Sequence, residues 1–214
     1  GLILTHAHLD HIGSLKHILP ALGMPPLYGT RFTLGLASKW LEEAGILKHT
    51  TLIEVDAGSR DKVKVWPFDV EFFRVNHSIP DCAWIHMTAP SGVTLMHTWD
   101  FKIDFTPAID EPADLDRIAD MGKKGVTLFL SDSTGSTRKG FSMSEKDVGE
   151  TLEKIVKNHH KGRLIIATFS SWISRVQQLI DICEKYDKTI FLSGRSMVEN
   201  VNIAKELGYL RMKP

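Results

Sequence analysis

Residues 4–11, "LTHAHLDH", place three histidines and one aspartate within six positions. Imidazole nitrogens and carboxylate oxygens are the donors that zinc and similar borderline ions accept, with manganese as the alternative. His6 and His8 alternate with Ala7, so on extended backbone their side chains share a side. Asp10 and His11 follow where the chain turns toward a helix. The first pair can hold one ion and the later pair a second. Packing alone gives no reason for such a composition, whereas lone histidines such as His17 and His49 read as ordinary surface or core residues. One loop does not complete a coordination shell, so the remaining donors are expected at the ends of later strands. His77 in "VNHSIPD" and Asp100 in "MHTWDFK" are the candidates.

The elements that must hold these donors follow from hydrophobic periodicity. "GLILT" (1–5) reads as a buried strand, and Ile12, Leu15, Ile18 and Leu19 suit one face of a short helix stopping near Pro20. A second helix is predicted over 32–45, closed by Gly45. Strands are predicted at 51–55, 62–68 and 70–75, and "CAWIHMT" and "VTLMHT" flank the turn "APSG" (89–92) as a hairpin. A short helix around 112–121 leads to a strand at 126–132. Beyond it, Ser144 and Asp147 resemble a capping box opening a helix with Val148, Leu152, Ile155 and Val156 on one face. Strands at 163–169 and 189–193 then alternate with helices at 171–186 and 196–207, which implies a parallel, covered sheet. The fold class is therefore α/β, with a boundary near residue 134 separating 1–133 from 134–214.

Composition narrows the function. The 214 residues are 43% apolar and 24% charged with zero formal net charge, so no global basic field advertises a nucleic-acid partner and any such contacts are local. Cys82 and Cys183 lie far apart in no metal-type spacing, which fits a reducing, cytoplasmic setting. No apolar run approaches the roughly 18 residues of a membrane helix, so no membrane partner is expected.

Taken together, the motifs resemble a known family. H-x-H-x-D-H after a strand, a later single histidine and an aspartate in "HTWDFK" resemble the metallo-β-lactamase superfamily. "LYGTRFTLGL", "NHSIPD", "DFKIDFTP", "LFLSDSTGSTRKGFSMSE", "ATFSSWISRVQQ" and "GRSMVENVNIAKELGYL" resemble the β-CASP nucleases of the ribonuclease J type, over essentially the whole chain. The resemblance implies a partial metallo-β-lactamase αββα sandwich followed by the start of a β-CASP domain. It makes His6, His8 and His77 ligands of one zinc, Asp10 and His11 ligands of a second, and Asp100 the bridge between them. Asp132, in "SDST", matches an acidic motif that orients a downstream histidine; on residue type alone it is a turn or cap aspartate. The implied activity is hydrolysis of RNA phosphodiester bonds, as a 5′-to-3′ exonuclease, an endonuclease or both, in RNA processing and decay. Asp10 serves there with Asp132 in the catalytic set, and two ions activate a hydroxide. RNA is the implied substrate, and a homodimer or homotetramer the implied state of the full-length protein.

Two departures accompany the resemblance. The family's proton-donor histidine and last metal ligand belong to motifs beyond "GRSM", and its first strands precede the H-x-H-x-D-H loop; the chain thus reads as an internal piece of a longer nuclease, weakly active or inactive alone. His159 and His160, in "NHHKG", read as a helix end, where histidine complements the helix dipole. Trp99 stands where the family usually has glycine, so either its ring points away or the metal site is distorted. For RNA contacts, Arg138 and Lys139 are candidates for phosphate. Ser170, Ser171 and Arg195 are candidates at predicted strand ends, with helix capping the alternative for the serines. Rival readings are a small-molecule metallo-hydrolase of thioesterase or glyoxalase type, which lacks the strand–helix layer seen at 144–208, and a non-catalytic RNA-binding scaffold with a decayed site.

Overall fold

The computed structural model describes residues 1–213. Strands β1 (Leu2–Ile3), β2 (Leu27–Gly29) and β3 (Leu52–Glu54) form a parallel sheet in that order. Parallel neighbours require crossovers, and here helices provide them: α1 (Leu9–Ile12) and α2 (Leu15–Ala21) join β1 to β2, and α3 (Arg31–Glu43) joins β2 to β3. The predicted single helix after the histidine loop is thus two short ones, with Ile12, Leu15 and Leu19 buried as expected. Helix α3 buries Phe32, Leu36, Ala37 and Leu41. It ends in a Schellman motif, in which Gly45 at φ 71° lets Ile46 N–H reach the Leu41 carbonyl and its own N–H reach Glu42.

A second sheet runs β4 (Val63–Val65), β5 (Phe68–Val75), β6 (Cys82–Thr88), β7 (Thr94–His97) and β8 (Leu128–Leu130). Its first three pairings are antiparallel and β7–β8 is parallel. The strand predicted over 62–68 is interrupted at Trp66-Pro67, because proline has no N–H to give a ladder. Side chains alternate between faces with period two. Val70, Phe72, Ala83 and Ile85 meet Tyr28, Val55 and Ala57 of the first sheet's side in one small core. Phe73, Val75, Trp84 and Met96 belong to a larger core shared with α2, α3 and the later helices.

Helix α4 (Leu115–Lys124) starts three residues later than predicted, where the Asp114 carboxylate accepts from Arg117 N–H. Helix α5 (Glu145–Asn158) opens as predicted, with Ser144 Oγ accepting from Asp147 N–H at 3.1 Å. Helices α6 (Ile173–Lys185) and α7 (Arg195–Glu206) contribute Ile173, Val176, Ile180, Val201 and Ala204 to the larger core. The segments 163–169 and 189–193 carry no strand ladder, contrary to expectation. Extended backbone becomes a strand only when a neighbouring edge takes its hydrogen bonds, and no described residue pairs with either segment. Parallel pairing is present instead in β1–β2–β3 and β7–β8.

The helices are joined to the sheets by a buried charge network. Glu145 accepts from Lys102 Nζ at 3.0 Å and from Arg175 Nη2 at 3.0 Å, while its N–H donates to the Asp104 carboxylate at 2.7 Å. Lys102 Nζ also lies 3.2 Å from Asp104. Each carboxylate is therefore buried with a partner, as burial of charge requires.

Candidate metal centre

The donors lie just past the C-terminal ends of strands. His6 and His8 follow β1, His77 follows β5, Asp100 follows β7 and Asp132 follows β8. Several contacts hold the loops together. The Ala83 N–H donates to the Thr5 carbonyl, and Lys102 N–H donates to Asn76, whose buried side chain accepts from Ala113 and donates to Glu111. One hydrogen bond beside Asp100 thus fixes the backbone beside His77.

One donor atom each from His6, His8, His77 and Asp100 lies within 4.8 Å of the others. His8 Nδ1 is 3.1 Å from His77 Nε2, and Asp100 Oδ2 is 3.9 Å from His6 Nε2 and 3.8 Å from His77 Nε2. Two ligands each about 2.0–2.2 Å from one tetrahedral ion are separated by roughly 3.3–3.6 Å. The observed spacing brackets that range, and 3.8–3.9 Å is too long for a hydrogen bond. His6 Nε2 is buried with no hydrogen-bond partner. A divalent ion among these four groups would satisfy it, so the donor set fits a metal.

The second group is more open. His11 Nε2 stands 3.6 Å from Asp100 Oδ2 and 3.6 Å from Asp10 Oδ2, and the Asp10 side chain is 78% exposed. Asp100 Oδ2 therefore faces both groups.

Electrostatics suit the same purpose. Burial first, then the neighbouring His11, His8 and His77, hold the His6 imidazole far below its usual range. Burial also pulls His77 down to about 4, with His8 reinforcing and Asp100 opposing, and it lowers His8 against the raising effect of Asp10. Uncharged imidazoles carry the free lone pairs a metal needs.

A cavity of about 1220 Å³ opens beside the donors, lined by His8, His77 and Asp132 together with Phe101, Phe141 and Trp172 among others. It is large enough for a substrate of several rings.

Comparisons with known proteins fit this geometry. The family model for the "Metallo-beta-lactamase superfamily" matches residues 1–94, and that for "Ribonuclease J, beta-CASP domain" matches residues 161–214. Ribonuclease J of Helicobacter pylori strain J99 is 41% identical over 212 residues, covering 99% of this chain and 30% of that protein. Ribonuclease J of Mycolicibacterium smegmatis is 39% identical and that of Thermus thermophilus 38%, each with 99% of this chain and 37% of the relative covered. Along its length the chain is similar to these ribonuclease J proteins, with a metallo-beta-lactamase match in its first part and a beta-CASP match in its last. It spans about a third of the length of these curated relatives. A crystal structure of a protein of unknown function from Enterococcus faecalis V583 shares the fold over 99% of this chain and 49% of that one, with a TM-score of 0.63 at 18% identity.

The remaining residues singled out from the ribonuclease J resemblance separate into two sets. Asp132 lines the cavity with the histidines, and its carboxylate accepts from Thr134 N–H at 2.8 Å. Desolvation pushes its pKa up, but hydrogen bonds from Thr134 and Ser133 and the nearby His77 outweigh that and leave it lowered. It is a turn aspartate and a cavity residue at once. Ser171 also lines the cavity. Ser170 Oγ lies 3.5 Å from Asn200 Nδ2, and neither serine caps α6 through its side chain, because Trp172 is the capping residue there. Arg138 and Lys139 are exposed in the loop after β8, away from the cavity wall. Arg195 opens α7 and pairs with Glu199 at 2.8 Å, also away from that wall. His159 follows the end of α5, as read from the sequence.

Trp99 neither turns away nor scatters the donors. It adopts φ 52° and stacks its ring on His97, while the four donor groups still converge. Sequence reasoning missed Ser78, whose Oγ lies 3.1 Å from His8 Nε2, although its place directly after His77 was a signal. It also missed Phe141, Phe169 and Trp172 on the cavity wall; aromatic residues beside "SMSE" and "FSSW" were the available sign.

Proposed function

We propose that this chain carries the metal-binding part of a ribonuclease that hydrolyses RNA phosphodiester bonds, in 5′-to-3′ exonucleolytic or internal mode, in RNA processing and decay. The convergence of His6, His8, His77 and Asp100 within 4.8 Å, beside a 1220 Å³ cavity, carries the reading. Similarity to Ribonuclease J sequences along 99% of the chain supplies the substrate class. His6, His8 and His77 would hold one ion, Asp10 and His11 a second, and Asp100 would face both. Zinc suits this nitrogen-rich set, with manganese the alternative. When bound, such ions lower the pKa of water and offset charge developing on phosphoryl oxygens.

The protein's own groups do the rest. Ser78 holds His8 by its second ring nitrogen, which fixes which nitrogen of His8 faces the cluster. Asp132 presents a carboxylate to the cavity, fixed by its turn, where it orients groups near His77. Ser171 on the cavity wall contacts the RNA backbone, and Arg138, Lys139, Ser170 and Arg195 guide phosphates outside it. Residues 1–133 and 134–214 form two domains in this reading, packed together through the larger core as well as the Glu145 network. The same reading puts the protein in the cytoplasm and the full-length form in dimers or tetramers, which fractionation and light scattering test.

The decisive experiment uses the full-length protein and 5′-monophosphorylated RNA. The double substitution His8→Ala and Asp10→Ala is expected to lower cleavage by at least about 10³-fold, in line with the several kcal/mol that metal-supplied charge stabilisation contributes. Undiminished release of nucleotides by that variant overturns the assignment.

A further inference from the structure

Trp99 combines two unfavourable features in one residue. Its φ of 52° lies in the left-handed region that side chains with a Cβ avoid, and its indole Nε1 is buried without a hydrogen-bond partner. A conformation of this kind persists only where the surroundings over-determine it, and such places cluster at functional sites.

The surroundings are visible. Thr98 N–H donates to the Leu130 carbonyl at the end of β8, and Thr98 Oγ1 accepts from Asp132 N–H at 2.8 Å while donating to the Trp99 carbonyl at 2.9 Å. Trp99 N–H donates to His97 Nδ1 at 3.1 Å. The indole lies parallel to the His97 ring, with centroids 4.3 Å apart and an interplanar angle of 8°. The indole also meets His11 in a T-shaped contact with ring centroids 5.4 Å apart, and His11 in turn lies against His6 at 4.0 Å. The His11 ring is thereby in contact with both Trp99 and His6. Its Nε2 points to Asp100 and Asp10, at 3.6 Å from each.

We infer that Trp99 is a positioning residue for the second metal position: the stack His97–Trp99–His11 sets the orientation of the His11 ring toward the Asp10 and Asp100 carboxylates. Among the described residues, His6 and Trp99 are the aromatic rings in contact with His11. The Asp10 carboxylate is exposed and the His11 side chain is largely buried, so the imidazole is the more confined member of that group. Among the described residues, the His6, His8 and His77 rings of the first position make no ring contact with Trp99, so a change there reaches them only through Asp100 and His11. This inference rests on the metal-dependent reading above.

The test is stepwise metal binding, independent of catalysis. Apo full-length protein is titrated with Co²⁺ by calorimetry, alongside Trp99→Gly and Trp99→Phe. Glycine tolerates the backbone conformation at this position, so the variant is expected to fold. The unsubstituted protein is expected to bind two ions in separable steps. In Trp99→Gly the first step stays and the second weakens by about tenfold or more, the usual consequence of removing a support behind a ligand. Trp99→Phe, which keeps an aromatic stack, is expected to recover most of that loss. Indole emission gives a second readout: quenching by the paramagnetic ion should track the second step, and should be smaller in that step in Trp99→Phe, where Trp172 and the other indoles still emit. Equal second-step affinity in Trp99→Gly and the unsubstituted protein overturns the inference alone. So does equal weakening of both steps with a lowered Tm, which marks a merely structural residue. Failure of the unsubstituted protein to bind any ion overturns the metal reading and this inference with it.

Discussion

Strand β5 and the segment 163–169 have similar local composition and opposite fates. "FDVEFFRV" is laddered on both sides and buries Val70, Phe72, Phe73 and Val75. "RLIIATF" is equally rich in β-branched and aromatic residues, yet pairs with no described strand and leaves Ile165 89% exposed. "TIFLS" behaves likewise, with Phe191 88% exposed. Local preference for extended backbone is similar in all three, and the presence of a neighbouring edge distinguishes them. The consequence for function is direct. Every donor of the candidate metal centre follows a strand with a hydrogen-bonded neighbour, whereas Ser170 and Arg195 follow segments with none. The first set converges on one point, whereas the second is not brought together by paired strands.

The largest expected effect lies at the joint between these regions. Glu145 neutralises Lys102 and Arg175, and Lys102 is two residues from Asp100. Glu145→Ala leaves the partly buried Arg175 without its carboxylate while Lys102 keeps Asp104 at 3.2 Å, so the cost in urea unfolding should be about 3 kcal/mol, the low end for a broken buried pair. Hydrogen exchange should show α5 and α6 opening before β5 and β6. If both regions lose protection together, the contrast between them is wrong and the network belongs to a single cooperative unit.

How much of this was legible beforehand follows the same physics. The ladder-forming strands and the donors at their ends were readable because alternation, turns and ligand-type residues are local signals. The Glu145 network was not, because Lys102, Glu145 and Arg175 are ordinary surface residue types until three distant elements bring them together. Trp99 was visible as an oddity, but its contact with His11 depends on where α1 packs. The false strands at 163–169 and 189–193 arose because periodicity reports what a segment can do, while pairing depends on its neighbours.

A second joint is titratable and should show a smaller effect. Asp81 accepts from Tyr209 Oη at 2.8 Å and from Phe32 N–H at 3.0 Å, linking the end of α7 to the start of α3. Beside it, burial and then the Asp81 charge push the Asp110 carboxyl up to about 7, with the Asp81 backbone N–H and Arg74 opposing. A folded-state value above the unfolded one means the native state holds the extra proton. Its stabilising contribution is full below about pH 4 and is lost as pH rises to about 7. Asp110→Asn mimics the protonated form, so it should match the parent at pH 4 and exceed it at pH 8 by on the order of 1–3 kcal/mol. Chemical unfolding of both proteins at several pH values reads this difference; a constant offset across that range would rule out Asp110 as the titrating group.

The smallest predicted effect is the sharpest check on the opening contrast. Ile165→Ser and Phe191→Ser remove side chains that are 89% and 88% exposed, so neither has apolar burial to lose. Each should change unfolding free energy by no more than about 0.5 kcal/mol, the usual range for surface positions. Donor convergence should be untouched, so the affinity for a first equivalent of Co²⁺ should stay within about twofold. A loss of about 2 kcal/mol or more from either substitution would require these segments to bury their apolar side chains in solution. They would then be strands with a partner, and the difference drawn between β5 and residues 163–169 would vanish.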